Sequence, residues 1–279
     1  MFCRNYLAAL RADAVRATAR SSRPTPAGAA ERPGVAEWRA GQHAERRLRE
    51  VTASLTCRPF ASDHRVPLLD PPVDPHLFRA YGCLFFGSRH PAVRRLRRQH
   101  QPSVHGHRTW GSGFVLIDYL MTQPPARRAR VMEVGAGWAP AGIFCASRFD
   151  ARVTVVDRDP AVFPYASIGA ELNDVCLRTL ERSFEQMTPA DLGSADVIVG
   201  SDICFWDRLV RPLEQLVRRA LAAGVRRVVI ADPGRSPFLR LARRLRDLDV
   251  RVVDWYALEP KRCDGKVLEV VRRRQPGKG

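Results

Sequence analysis

The chain has 279 residues, of which 45% are hydrophobic and 27% are charged. This composition excludes collagen-like, coiled-coil and wholly disordered proteins, and no apolar run approaches the roughly 18 to 20 residues of a membrane-spanning helix. Lysine and arginine outnumber aspartate and glutamate by 46 to 29, yet only three of the 46 are lysine. Because codon bias also produces an excess of arginine, the charge leaves nucleic acid open as a partner without favouring it.

Composition divides the chain into three parts. Residues 1–40 are rich in alanine, arginine, serine and proline and are predicted to form a disordered basic tail. They lack the apolar stretch of a secretory signal, although four arginines and one acid in the first 20 residues also fit a mitochondrial presequence. Residues 41–108 are predicted to be an accessory, mainly helical segment whose apolar run, 78–86, packs on a neighbour. An α/β domain is predicted over 109–274.

Short apolar runs rich in β-formers alternate with helical stretches in this last part. The predicted strands are 131–134, 153–156, a weaker one near 176–181, 196–199, 228–231, 250–255 and 267–271. Such alternation predicts a doubly wound, Rossmann-like parallel sheet with helices on both faces. The last two strands follow each other directly, so they are predicted to form a hairpin that adds an antiparallel strand.

The seven cysteines carry no metal or disulfide signature. They are Cys3, Cys57, Cys83, Cys145, Cys176, Cys204 and Cys263. Their number is odd and none are spaced as Cys-x-x-Cys, so we expect neither a disulfide framework nor a zinc site. A reducing compartment follows, most simply the cytoplasm. His105 and His107 stand one residue apart with no third ligand in view, and are expected as loop residues near a site entrance rather than metal ligands.

Glycines and acids follow the first two strands of the α/β domain. Glu133 precedes Gly135 and Gly137, and Asp157 ends the next strand. Glycines let a backbone turn sharply and approach a ligand, while an acid after the second strand can bind ribose hydroxyls. The spacing departs from the GxGxxG of dinucleotide sites. An acid two residues before the first glycine repels a pyrophosphate but suits a ligand with a cationic end.

These residues carry a resemblance to a known family. Residues 131–142, VMEVGAGWAPAG, resemble motif I of the class I, seven-β-strand, S-adenosylmethionine-dependent methyltransferases, and Asp157 matches the acid of that fold's second strand. Asp202 and Phe205 are similar to the Asp-x-x-Tyr/Phe signature of the lysine methyltransferase-like family, whose tryptophan ahead of motif I is matched by Trp110.

The resemblance covers roughly residues 105–274 and makes 109–274 a methyltransferase domain. It implies the strand order 3-2-1-4-5-7-6 with the last strand antiparallel. Asp232 to Arg235, DPGR, is similar to the version in electron-transfer-flavoprotein lysine methyltransferases. The departure is Trp138-Ala139, where the family usually has a small residue and glycine; a bulky ring there is expected to narrow the pocket.

The resemblance also implies a site. Gly135 and Gly137 pass under the methionine part of S-adenosylmethionine, Glu133 lies near its ammonium, and Asp157 binds the ribose. The expected cofactor-binding residues are Trp110, Glu133, Gly135, Gly137, Asp157, Glu181 and Asp202, with the segment from Glu181 to Glu185 near the adenine. The expected catalytic residues are Asp202 and Phe205, at the mouth where methyl group and acceptor meet.

Plainer explanations exist for several of these residues. Asp157 and Asp202 also suit helix N-caps, and Trp110 also suits a core position. The two glycines suit an ordinary strand-to-helix turn. Arg235 fits three roles: it binds a substrate carboxylate, caps a helix or pairs with Asp232.

The favoured function is an S-adenosylmethionine-dependent N-methyltransferase acting on a protein lysine. This acceptor is implied by the resemblance alone, since fold and cofactor do not fix it. One alternative is a small-molecule N- or O-methyltransferase, in which residues 60–108 close as a lid over a compact pocket. Another is a non-catalytic module that binds RNA or protein through its basic N-terminal half. We expect a monomer with no membrane association.

Overall fold

Residues 74–106 and 108–272 are described by this computed structural model. The predicted basic tail, residues 41–73 of the predicted accessory segment, and His107 lie outside the described residues. The division of the chain at residues 40 and 108 therefore stays a prediction.

The described part begins with a β-hairpin rather than a helix. Strands β1 (Leu77–Ala80) and β2 (Cys83–Phe86) pair antiparallel across a two-residue turn. Tyr81 and Gly82 in that turn have φ of 50° and 80°. Two successive positive φ values match the twist of a hairpin, which is why a glycine helps to close it. The apolar run at 78–86 thus folds as two short strands.

Helix α1 (Pro91–Gln99) follows the hairpin, and its N-cap His90 accepts a hydrogen bond from the Ala92 amide. The α/β domain contains the remaining elements. They are α2 (Gly111–Thr122), β3 (Arg130–Val134), α3 (Pro140–Phe149), β4 (Arg152–Asp157), α4 (Phe163–Leu172), β5 (Leu177–Glu181), α5 (Pro189–Gly193), β6 (Val197–Ser201), α6 (Val210–Ala222), β7 (Arg227–Asp232), α7 (Ser236–Arg244), β8 (Asp249–Ala257) and β9 (Cys263–Val271).

The seven strands β3 to β9 form one sheet in the order β5-β4-β3-β6-β7-β9-β8. All neighbours are parallel except β9, which is antiparallel to both β7 and β8. This confirms the predicted fold and strand order. The chain reverses its direction of travel across the sheet between β3 and β6, and ligands of open α/β sheets bind at the carboxyl ends of strands at such a point.

Alternate residues of the strands face two apolar layers. One layer contains α2, α3 and the hairpin, and the other contains α6 and α7. Eight of the twelve residues of helix α2 are buried. A helix covered on nearly all sides needs apolar side chains on nearly all sides, which accounts for its composition. Within the described residues, no helix combines the length and the apolar character that crossing a membrane requires.

Asn173, just after α4, fixes the hairpin to the α/β domain. Its Oδ1 accepts the Leu84 amide at 2.8 Å, and its Nδ2 donates to the Leu84 carbonyl at 2.8 Å and to the Gly169 carbonyl at 2.8 Å. One side chain therefore satisfies both backbone groups of a β2 residue.

We predict that Asn173→Ala lowers the free energy of unfolding by about 1–2 kcal/mol, because partly buried backbone groups lose their partners. Asn173→Asp should fall between wild type and Ala, since it keeps the acceptor and loses the donor. Urea unfolding measures the effect. An unchanged midpoint for Asn173→Ala would show that the hairpin does not depend on this contact.

Candidate functional site

The turn between β3 and α3 has three residues in the left-handed region. Gly135, Gly137 and Ala139 have φ of 61°, 53° and 55°. A Cβ at Gly135 would stand 2.5 Å from the Ile203 side chain, so close packing requires glycine there. A Cβ at Gly137 would meet nothing within 4 Å. The backbone at Gly137 is therefore accessible, as a ligand cradle requires.

Glu133 lies beneath this turn, and its side chain is buried. It is 1% exposed, and its Oε2 accepts the Gly142 amide of α3 at 2.6 Å. Burial raises the pKa of Glu133 to about 8, although the backbone amides of Gly142 and Ala141 act in the opposite direction. A carboxyl in this position ionises readily only if a cation joins it.

Asp157 at the end of β4 ties two turns together. Its Oδ2 accepts the Gly137 amide at 3.1 Å, and its Oδ1 accepts the Asp159 amide at 3.0 Å. Each oxygen keeps a second lone pair for another donor. Burial raises the pKa of Asp157, against these backbone hydrogen bonds. The short helix that follows is capped by Asp159, so the N-cap explanation for Asp157 is wrong.

Trp138 does not point into open space beside the turn. Its ring is 7% exposed, stacks on Tyr165 at 5.2 Å and donates from Nε1 to the Gly106 carbonyl at 2.9 Å. This packing holds the ring against the 100–106 loop, and the expectation that Trp138 narrows the pocket stays a prediction. Ala139 takes the left-handed conformation, which costs a residue other than glycine about 1–2 kcal/mol.

Asp202, after β6, joins an ion-pair cluster after β7. Its Oδ1 accepts Nη2 of Arg235 at 2.6 Å, and Nη1 of Arg235 donates to Oδ2 of Asp232 at 2.9 Å. Asp232 is fully buried and also accepts the amides of Gly234 and Arg235. Of the roles open for Arg235, pairing with Asp232 is found, and the Asp202 contact adds to it.

The conformation of Asp202 is unusual. Its φ is 56°, a region that aspartate tolerates better than most residues, and its amide donates to the Ala231 carbonyl at 3.0 Å. The next short helix begins after Trp206 without a side-chain cap, so Asp202 is not its cap. A strained aspartate held by an arginine at a strand end is typical of a functional position.

Phe205 and Trp110 meet through His105. The His105 ring lies 5.1 Å from Phe205 and 5.7 Å from Trp110, with edge-to-face geometry in both cases. The indole of Trp110 donates to the His105 carbonyl at 2.9 Å. Trp206 contacts Phe205 at 4.6 Å and His105 at 5.9 Å. Four aromatic rings from two loops thus form one cluster, and the loop that carries Phe205 and Trp206 also carries Asp202.

The segment after β5 approaches the glycine turn through Phe184. Glu181 is exposed and pairs in register with Asp157, whereas the Phe184 ring comes within 3.7 Å of the position that a Gly135 Cβ would take. Arg219 of α6 donates to the Phe184 carbonyl at 2.6 Å and the Met187 carbonyl at 2.8 Å. Sequence reasoning missed Arg219, because an arginine in an amphipathic helix gives no sign of a distant partner.

Comparison with known proteins identifies the family. The lysine methyltransferase family model matches residues 94–236. The electron transfer flavoprotein beta subunit lysine methyltransferase of Xenopus laevis is 28% identical over 130 residues, 46% of this chain and 52% of that protein. The calmodulin-lysine N-methyltransferase of Arabidopsis thaliana is 29% identical over 122 residues, 41% of this chain and 40% of that protein. The chain thus spans about half or less of the length of these relatives.

Solved structures also align with the chain. A SAM-dependent methyltransferase from Agrobacterium tumefaciens aligns with a TM-score of 0.49 and 14% identity, covering 71% of this chain and 70% of that one. TrmN from Thermus thermophilus aligns with a TM-score of 0.46 and 16% identity, covering 57% and 49%.

The family match covers more than half of the chain and includes the glycine turn, Asp157, Asp202 and Arg235. The chain belongs to the lysine methyltransferase family.

Proposed function

We propose that the protein is an S-adenosylmethionine-dependent N-methyltransferase whose acceptor is a lysine side chain of a protein. The observation that carries the proposal is the buried Glu133 carboxyl beneath a turn whose backbone is open at Gly137. A buried acid with a pKa near 8 suits a ligand that brings an ammonium, and an open glycine edge suits a ligand that lies along the backbone.

The residues present fit S-adenosylmethionine. When bound, it supplies a methyl group on a sulfonium that an amine can displace. Glu133 would balance its ammonium, directly or through water, and the Asp157 oxygens would use their second lone pairs for the ribose hydroxyls. Phe184 would flank the adenine beside Glu181. Trp110 would close the methionine end.

Asp202 and Phe205 are proposed to act on the acceptor. The Asp202 carboxylate, held by Arg235, would accept a hydrogen bond from the incoming amine and orient its lone pair. Phe205 and the neighbouring rings would exclude water from the reacting amine. Alignment of nucleophile and methyl group, rather than covalent catalysis, would supply the rate acceleration.

The family favours a protein lysine over a small-molecule acceptor. The intact set of Glu133, Asp157 and Asp202 supports catalysis over a purely binding role. A reducing compartment, most simply the cytoplasm, remains our proposal for the location of the protein. A monomer remains our proposal for the oligomeric state.

We predict that Asp157→Asn weakens binding of S-adenosylhomocysteine roughly 10- to 100-fold, because a charged acceptor to two hydroxyls is lost. Asparagine keeps one acceptor for the backbone amides, so the fold should survive. Titration calorimetry on the full chain measures the affinity, with Asp249→Asn as an exposed control at the opposite edge of the sheet. Equal affinity for Asp157→Asn and wild type would overturn the ribose assignment.

We predict that Glu133→Gln makes the ligand-free protein more stable than wild type, and that this difference in stability grows as pH rises. The wild-type carboxyl has a pKa of about 8 when folded against an ordinary 4.5, so wild-type stability falls as pH rises from 4.5 to 8. Glutamine has no such dependence and keeps the acceptor for Gly142. Thermal unfolding should be similar for both proteins near pH 5, and the variant should gain on the order of a few kcal/mol by pH 8.

The same Glu133→Gln variant should bind S-adenosylhomocysteine more weakly than wild type, because glutamine does not balance an ammonium. If the variant is no more stable than wild type at pH 8, burial does not make the ionised Glu133 carboxylate unfavourable in the folded protein.

We predict that Asp202→Asn reduces methyl transfer roughly tenfold or more while S-adenosylhomocysteine affinity changes little, because asparagine tolerates the positive φ but lacks the charge. Transfer of labelled methyl groups into the protein fraction of a cell lysate measures the activity. Label recovered only in small molecules would favour the alternative acceptor. Normal transfer by Asp202→Asn would remove Asp202 from the catalytic residues.

A further inference from the structure

Two exposed arginines extend the cluster of His105, Trp110, Phe205 and Trp206. The Arg108 guanidinium lies 3.9 Å from the centre of the Trp110 ring, and the Arg208 guanidinium lies 4.0 Å from the centre of the Trp206 ring. Since His105 joins the two loops, the arginines stand at the two ends of one series of ring contacts. We call this the arginine–aromatic surface. It consists of His105, Arg108, Trp110, Phe205, Trp206 and Arg208.

Neither end arginine forms an ion pair with a carboxylate of residues 74–106 or 108–272. Arginines elsewhere in these ranges do, as Arg218 does with Asp247 and Arg227 with Glu269. Stacking on a ring holds a guanidinium in place while its edges stay available for hydrogen bonding. Arg108 and Arg208 are therefore oriented donors for an anion that the chain itself does not provide.

The ion-pair cluster of Asp202, Arg235 and Asp232 has the opposite sign. Asp202 and Asp232 contribute two carboxylates to the cluster, and Arg235 contributes one positive charge, so the ion-pair cluster carries a net charge of −1. Phe205 is three residues from Asp202 and belongs to the ring series. The chain thus combines a net negative cluster, three residues before Phe205, with a ring-held positive charge at either end of the arginine–aromatic surface.

We propose that the arginine–aromatic surface binds an acidic peptide segment whose central lysine is the methyl acceptor. The lysine ammonium meets Asp202, and carboxylates on either side of it meet Arg108 and Arg208. The exposed Trp206 ring, 39% accessible, packs on the peptide between them. This inference rests on the proposed function and adds to it the chemical class of the acceptor.

Single-stranded RNA fits the surface less well. Bases need open ring faces, and Arg108 and Arg208 each cover a face of a tryptophan. The net negative charge of the Asp202–Arg235–Asp232 cluster also disfavours a phosphate chain. A peptide with alternating charge matches this pattern, whereas a polyanion does not.

Fluorescence anisotropy on the full chain tests the proposal. The probe is a labelled peptide with one central lysine flanked by glutamates, and the matched peptide has glutamines in their place. We expect tighter binding of the glutamate peptide, a preference that shrinks with added salt, and a roughly three- to tenfold loss for each of Arg108→Glu and Arg208→Glu. Arg246→Glu, an exposed change at the opposite edge of the sheet, should leave binding unchanged.

Three results would overturn the proposal. They are equal binding of the two peptides, equal losses for Arg208→Glu and Arg246→Glu, and RNA oligonucleotide binding that depends on these arginines without glutamate-peptide binding. Unfolding temperature and S-adenosylhomocysteine affinity show that the variants remain folded. Anisotropy measures peptide binding without methyl transfer. If wild type binds S-adenosylhomocysteine but does not prefer the glutamate peptide, the result rejects the acceptor class and leaves the proposed function in place. Loss of S-adenosylhomocysteine binding in wild type instead rejects the proposed function.

Discussion

The hydrogen bond from the Gly142 amide to the buried Glu133 carboxyl determines how β3, its turn and α3 fit together. A Cβ at Gly142 would stand 2.8 Å from Glu133 Oε2 and 3.0 Å from the Val153 side chain, so α3 approaches the sheet this closely only with glycine there. The helix start and the strand end are thus joined through an acid that burial makes unfavourable when charged. A site that holds such a group is less stable alone than with a cation beside it.

Acidic side chains also link neighbouring turns elsewhere at this end of the sheet. Asp157 joins the turn after β3 to the turn after β4, and the Asp202–Arg235–Asp232 cluster joins the turn after β6 to the turn after β7. Each of these links therefore lies at the carboxyl ends of the strands, where it joins two turns. Isosteric amide substitutions separate this linking role from the proposed ligand role better than alanine, because they keep one acceptor for the backbone donors.

The sequence predicted the seven-strand sheet because its strands are short apolar runs separated by helical stretches, a local pattern. It also predicted which residues follow the strand ends. The hairpin was missed because LFRA and CLFF are too short to show a period, and its turn depends on positive φ at Tyr81. The direction of Trp138 and the contact of Arg235 with Asp202 depend on residues 32 and 33 positions away, which local patterns do not encode.

Overall charge and local charge have different meanings in this chain. The formal net charge of +17 is spread over many arginines, and several in the described residues are neutralised by partners such as Asp196, Glu214 and Asp247. A paired arginine contributes little to recognition, since its donors are already used. Arg108 and Arg208 differ because rings, not carboxylates, hold them. Selectivity for an acceptor would therefore depend on the arrangement of a few charges around Asp202 and not on the basicity of the whole protein.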